Sequence, residues 1–105
     1  MVTSALKVID YNYCSIITIE QIAEYLSVDP AYFSRRFAQK TGVSPKRYII
    51  EKRIERAKEL LCSTDAGVFE IANSVSYEDQ FYFYKIFKKY TNLSPSEYRK
   101  KNARL

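Results

Sequence analysis

Arg35 follows Phe33 by two residues and precedes Phe37 by two, and this spacing sets what the arginine can do. At about 100° per residue on a helix, Phe33 and Phe37 share one face, with Lys40 close by. Ala31, Arg35, Ala38 and Gln39 lie opposite, with Ser34 on the flank. Small and polar residues around one arginine let a helix backbone approach a polar surface while the guanidinium fork reaches paired acceptors. Guanine N7 and O6 in the DNA major groove are such acceptors. A plain solvated helix face has the same composition; the contact reading gains weight because the arrangement follows a tight turn and occurs twice.

The second occurrence has different chemistry. Phe83 and Phe87 form its inward pair, so Phe81, Lys85, Lys88 and Lys89 point outward. The run Phe81-Tyr82-Phe83-Tyr84 covers too much of the helix circumference for four buried rings, and Phe81 lies roughly 160° from Phe83. An exposed Phe81 suits contact with a thymine methyl. It equally suits packing on the N-terminal helix or on a partner domain. Lysine at 85 is a poorer bidentate reader of guanine than arginine.

Other chemistry is argued against by composition. The 105 residues include no histidine, which removes histidine-based nucleophile systems, a histidine general base and any zinc site that needs imidazole. Cys14 and Cys62 have no metal-like spacing, and both are expected to be reduced, buried thiols. No cluster of acid, base and nucleophile stands out, so no enzyme, metal or cofactor is expected. Hydrophobic residues at 47% and charged residues at 28% fit a globular chain, whose length allows one compact domain or two very small ones sharing a partner helix. No apolar run approaches the roughly 18 residues of a membrane span, and nothing at the start resembles a signal peptide.

The elements that must position these residues are helices. Apolar residues recur at helical spacing, as in Ile19, Ile22, Ala23, Leu26 and in Ile50, Ile54, Ala57, Leu61. Thr18 with Gln21 and Ser94 with Glu97 fit a capping box. Asp29-Pro30, Ser44-Pro45 and Ser94-Pro95 each put a capping side chain before a proline whose missing N–H costs nothing at a first helical position. Gly42 and Asn92 suit left-handed helix ends. Seven helices are predicted, near 4–12, 18–26, 30–41, 45–61, 68–75, 80–91 and 95–102.

Two of these stretches repeat each other. YFSRRFAQKTGVSPKRY (32–48) and YFYKIFKKYTNLSPSEY (82–98) share seven of 17 positions, and Ile22-Ala23 matches Ile71-Ala72 if the second copy's turn holds one extra residue. Each copy is a short helix, a tight turn, a longer helix and a Ser-Pro start, which is a helix-turn-helix pattern.

The charge is uneven along the chain. Lys7 is the lone basic residue before Arg35, while the other sixteen of 17 Lys and Arg follow, against eight of 12 acids; the net charge is +5. A late positive surplus suits a polyanion. The helix from Pro45 carries Lys46, Arg47, Lys52, Arg53, Arg56 and Lys58 beside Glu51, Glu55 and Glu59. Most of that is a solvated face, with Glu55–Lys58 able to pair. Its length, roughly 25 Å, makes it a strut between the repeats, commensurate with the ~34 Å between successive major grooves on one DNA face.

At this level the sequence resembles AraC/XylS-type bacterial transcription regulators. IANSVSYEDQFYFYKIFKKYTNLSPSEYRK (71–100) is similar to that family's C-terminal signature, RIERAKELL (53–61) to its linker helix, and IAEYLSVDPAYFSRRFAQKTGVSP (22–45) to its first helix-turn-helix. The resemblance covers essentially the whole chain. It implies an all-α DNA-binding domain over 1–105, with helix-turn-helix units at about 18–42 and 68–92 joined by a linker helix at 45–61. By motif position it places base contacts on Ala31, Ser34, Arg35, Phe81, Tyr84 and Lys85. Phosphate contacts are implied for Thr18, Arg36, Ser44, Lys46, Lys88 and Ser94. The chain departs from the family pattern where glycine is usual and Ser76 and Asn92 stand, and in carrying Phe81 and Lys85. The expected partners are double-stranded promoter DNA, RNA polymerase, and an effector, sensor or receiver domain of the same protein, in the cytoplasm and away from any membrane. The alternative is an all-helical protein-interaction module derived from such a domain.

Overall fold

The computed structural model describes residues 1–102, which hold seven α-helices and no strand. They are α1 (Val2–Asn12), α2 (Ile19–Tyr25), α3 (Pro30–Thr41), α4 (Pro45–Ser63), α5 (Val68–Ser74), α6 (Gln80–Thr91) and α7 (Pro95–Asn102). The chain divides into two compact units, Met1–Lys52 and the part beginning at Arg53, with the division falling inside α4.

Local chemistry explains the helix starts. Thr18 accepts from the Gln21 amide at 3.1 Å while Gln21 Oε1 accepts the Thr18 N–H at 3.0 Å, closing the expected box at α2. Asp29 caps α3 through the Tyr32 amide, and Ser44 accepts from the Arg47 amide at the start of α4. Asp79, which the sequence reading did not single out, caps α6 by accepting from both Phe81 and Tyr82 amides. The helices differ from expectation at a few ends: α1 begins at Val2 and α4 continues to Ser63.

Both helix-turn-helix turns close in the same way. Ser27 and Ser76 take left-handed backbone, φ 58 and 72. After each, the next amide reaches back five residues, Val28 to Ala23 O at 3.0 Å and Tyr77 to Ala72 O at 2.8 Å. This is the Schellman closure, which normally favours glycine at the left-handed position. Ser76, where the resemblance leads one to expect glycine, therefore adopts a glycine-like conformation, and Ser27 matches it in the first unit. The extra residue of the second turn is Glu78, between the aligned Tyr77 and the Asp79 cap.

In the first unit, Ala5 and Ile9 of α1, Ile22 and Ala23 of α2, Phe33 and Phe37 of α3 and Ile49 of α4 form one buried cluster. At its rim, the Tyr48 hydroxyl donates to Asp10 at 3.1 Å and Lys52 lies 3.4 Å from the same carboxylate. Burial first, and then the Asp10 carboxylate, raise the Tyr48 pKa. In the second unit the core is built from Ile54, Ala57, Leu61 and Cys62 of α4, Ile71 and Ala72 of α5, Val75 and Tyr77 of the turn, and Phe83 and Phe87 of α6, with Ser94 and Pro95 also buried. The Arg53 guanidinium lies over the Tyr77 ring, 5.3 Å from its centroid. Arg99 of α7 donates to Leu61 O at 3.1 Å, Thr64 O at 3.2 Å and Ala66 O at 2.6 Å, satisfying carbonyls at and beyond the end of α4. Cys62 is buried as expected, whereas Cys14 is exposed and corrects that expectation. It falls in the segment after α1, outside any helix that would bury one of its faces.

Candidate nucleic-acid interface

The shared residues of the two repeats lie inward or at helix ends, and the differing ones are exposed or half-buried. On α3, Phe33 and Phe37 are fully buried with ring centroids 5.7 Å apart, and Phe37 meets Tyr48 of α4 edge-on at 5.6 Å. On α6, Phe83 and Phe87 are buried with centroids 5.8 Å apart, and Phe87 meets Tyr98 of α7 at 5.5 Å. Pro45 and Pro95 are also fully buried. Packed rings of this kind fix the rotation of each helix about its own axis, and so fix which residues face outward.

Those residues in the first unit are Ala31 and Arg35, both exposed, and Ser34, half-buried on the flank. Asp29, in the turn before them, has one carboxylate oxygen on the Tyr32 amide. Around the same helix-turn-helix, Thr18, Arg36, Ser44 and Lys46 are all exposed. The Thr18 and Ser44 hydroxyls each already accept one backbone N–H, and each retains a proton to donate outward.

In the second unit, Phe81 is 79% exposed and Tyr84 45% exposed, with Lys85, Lys88 and Lys89 exposed along the same helix. Tyr82 is also partly exposed, but its ring packs 5.9 Å from Tyr77. Ser94 does not fit the phosphate contact expected of it. It is 3% exposed, its hydroxyl takes the Glu97 amide at 3.1 Å, and its own N–H is held by the Glu97 carboxylate at 2.9 Å. The Ser94 backbone N–H, and after it the Ser94 side chain, lower the Glu97 pKa. Ser94 shares its capping role with Ser44 but not its exposure.

The central helix carries the expected Lys58–Glu55 pair at 3.7 Å, joined by Arg47–Glu51 at 2.8 Å and Arg56–Glu59 at 3.0 Å. Side chains on this exposed face contribute little to stability as pairs. Among the described residues no group of three or more His, Cys, Asp and Glu side chains is placed to hold a metal ion. No described helix is long and apolar enough to cross a membrane.

A family model described as a helix-turn-helix domain matches residues 22–101. The chain belongs to the AraC/XylS-type helix-turn-helix family. It is 36% identical over 96 residues to the raffinose operon transcriptional regulatory protein RafR of Pediococcus pentosaceus, covering 91% of this chain and 35% of that protein. It is 36% identical over 81 residues to the arabinose operon regulatory protein of Escherichia coli K12, covering 77% of this chain and 28% of that protein. The chain thus spans about a third of the length of these AraC/XylS-type relatives. Among solved structures, it resembles the C-terminal domain of AraT, a response regulator from Geobacillus stearothermophilus, with a TM-score of 0.95 and 38% identity over 97% of this chain and 85% of that one. The fold of an AraC/XylS-type DNA-binding domain is all-helical in this chain, and the family is one of transcription regulators rather than of enzymes.

Proposed function

We propose that this chain is a sequence-specific DNA-binding domain that lays α3 and α6 into successive major grooves of a promoter. One observation carries the reading. In both units an identical aromatic scaffold holds the second helix of a helix-turn-helix with its Phe pair inward, leaving Ala31, Ser34 and Arg35, or Phe81, Tyr84 and Lys85, on the outer side. These six read base edges. Thr18, Arg36, Ser44, Lys46 and Lys88 meet phosphates and set the register. The surplus of basic residues after Arg35 supports this reading, as do the operon-regulator relatives.

Within the same proposal the chain serves as the DNA-binding part of a longer cytoplasmic regulator. Its partners there are an effector, sensor or receiver domain and RNA polymerase. The length of the relatives and the response-regulator origin of AraT support that part of the reading.

The halves are unequal. Arg35 offers a planar fork suited to guanine, so the first unit supplies most discrimination, while the lysines of α6 supply affinity with less geometric constraint. The experiment is selection of bound duplexes from a random pool, followed by scrambling each half-site of the selected operator at fixed salt. Scrambling the half contacted by α3 gives the larger penalty; a larger penalty in the other half overturns this ordering. A steep inverse dependence of affinity on salt is also required, since phosphate contacts release counterions. Flat salt dependence with no enriched duplex favours the protein-interaction reading, in which exposed Phe81 and Tyr84 meet a protein instead.

A further inference from the structure

We infer that α6 selects the 5-methyl group of a pyrimidine, thymine in ordinary DNA, through the ring of Phe81. The inference rests on the proposed DNA-binding role and adds the chemical class that the second helix recognises. Phe81 is the second residue of α6, and recognition helices meet base edges chiefly with their N-terminal residues. Its ring is 79% exposed, and among the described residues no aromatic ring packs on it, unlike its neighbours Tyr82 and Phe83. The Asp79 carboxylate takes the Phe81 and Tyr82 amides at 2.9 and 3.3 Å, so the first turn is anchored and two of its donors are occupied within the chain.

Charge along the helix assigns the ring its target. Glu78 and Asp79 precede Phe81, and the cations begin one turn later with Lys85, followed by Lys88 and Lys89. The leading end of α6 is therefore acidic and apolar, and it is poorly suited to a phosphate. A phenyl ring neither donates nor accepts a conventional hydrogen bond, so purine and cytosine edges lose water to it without compensation. Thymine alone among the four bases presents a methyl group in the major groove. The aligned position on α3 is Ala31, whose single methyl covers far less apolar surface, so the preference belongs to the second half-site.

The test uses the operator selected from the random pool. Thymidines in the α6 half-site are replaced one at a time by deoxyuridine, which removes the methyl group and keeps the pairing. The expected result is a loss of about fourfold in affinity at one or two positions, the worth of one buried methyl group. Phe81→Ala, a change at an exposed position, should keep the parent's melting temperature and bind thymine and uracil operators equally. A 5-methylcytosine paired with guanine, placed at the sensitive position, should recover part of the loss caused by unmethylated cytosine. Indifference of the parent protein to uracil throughout that half-site overturns the inference, and so does uracil discrimination that survives in Phe81→Ala. A pool that yields no preferred duplex overturns the DNA-reading proposal itself, a separate outcome.

Discussion

Thr41 and Thr91 make the same set of hydrogen bonds fifty residues apart. Each hydroxyl lies 2.9 Å from the carbonyl four residues back, Phe37 or Phe87, and 2.9 Å from the carbonyl two residues on, Val43 or Leu93. Each also accepts the amide of that later residue, at 3.3 and 3.2 Å. One small side chain thereby ties the end of α3 or α6 to the loop residue just beyond the left-handed one. Gly42 at φ 84 and Asn92 at φ 65 occupy that bend.

Thr91→Val keeps the shape and removes all three interactions. The expected cost is about 1–2 kcal/mol, because half-buried backbone groups lose partners. Thermal melting should fall by roughly 5–10 °C for a chain of this size. An unchanged melting temperature would show that water replaces the hydroxyl without penalty.

Arg99 should be intolerant of lysine. Its guanidinium serves three separate carbonyls around the end of α4, and an ammonium has no planar fork to reproduce that pattern. Arg99→Lys is expected to recover less than half of the stability lost in Arg99→Ala, read from urea unfolding midpoints. Equal stability of the lysine variant and the parent would reduce the arginine to a point charge.

Glu97 supplies an acid-sensitive element. Its folded pKa is lowered, chiefly by the Ser94 backbone hydrogen bond, so its contribution is present above the ordinary glutamate value. That contribution fades as pH falls below about 4.3 and through the depressed folded value. Glu97→Gln retains a side-chain oxygen to accept the Ser94 N–H but cannot titrate. Its melting temperature should therefore fall less between pH 5 and pH 3, on the order of two units of acidification, than that of the parent. Parallel acid profiles would remove Glu97 from the cause.

Arg35→Ala should separate reading from attraction. Losing one bidentate base contact costs about 1–3 kcal/mol on the selected operator. Binding to random duplex should weaken much less, as measured by titration at one salt concentration. Equal losses on both DNAs would make Arg35 a phosphate contact.

Helix positions were largely legible from the sequence because the signals are local: apolar spacing, capping side chains, prolines at first positions. The inward Phe pairs followed from the same periodicity, and so did the outward placement of Arg35 and Phe81. Arg99 and the Asp10–Tyr48 bond were not legible, since their partners lie 33 to 38 residues away and polar bonds leave no periodic mark. Ser94 misled for a related reason. Ser44 and Ser94 occupy matching repeat positions and each precedes a proline, but burial depends on what the rest of each unit packs around them, and Ser94 is covered where Ser44 is open.

The duplicated scaffold leaves the two outer faces free to diverge independently. Ala31, Ser34 and Arg35 could be written onto positions 81, 84 and 85 without altering Tyr82, Phe83, Phe87, Thr91, Ser94, Pro95 or Tyr98, the residues that the copies share. Under the proposed reading, in which each helix reads one half-site, mutational drift at one half-site is answered on one helix alone. New targets are then reached in half-steps, with one foothold on the DNA kept.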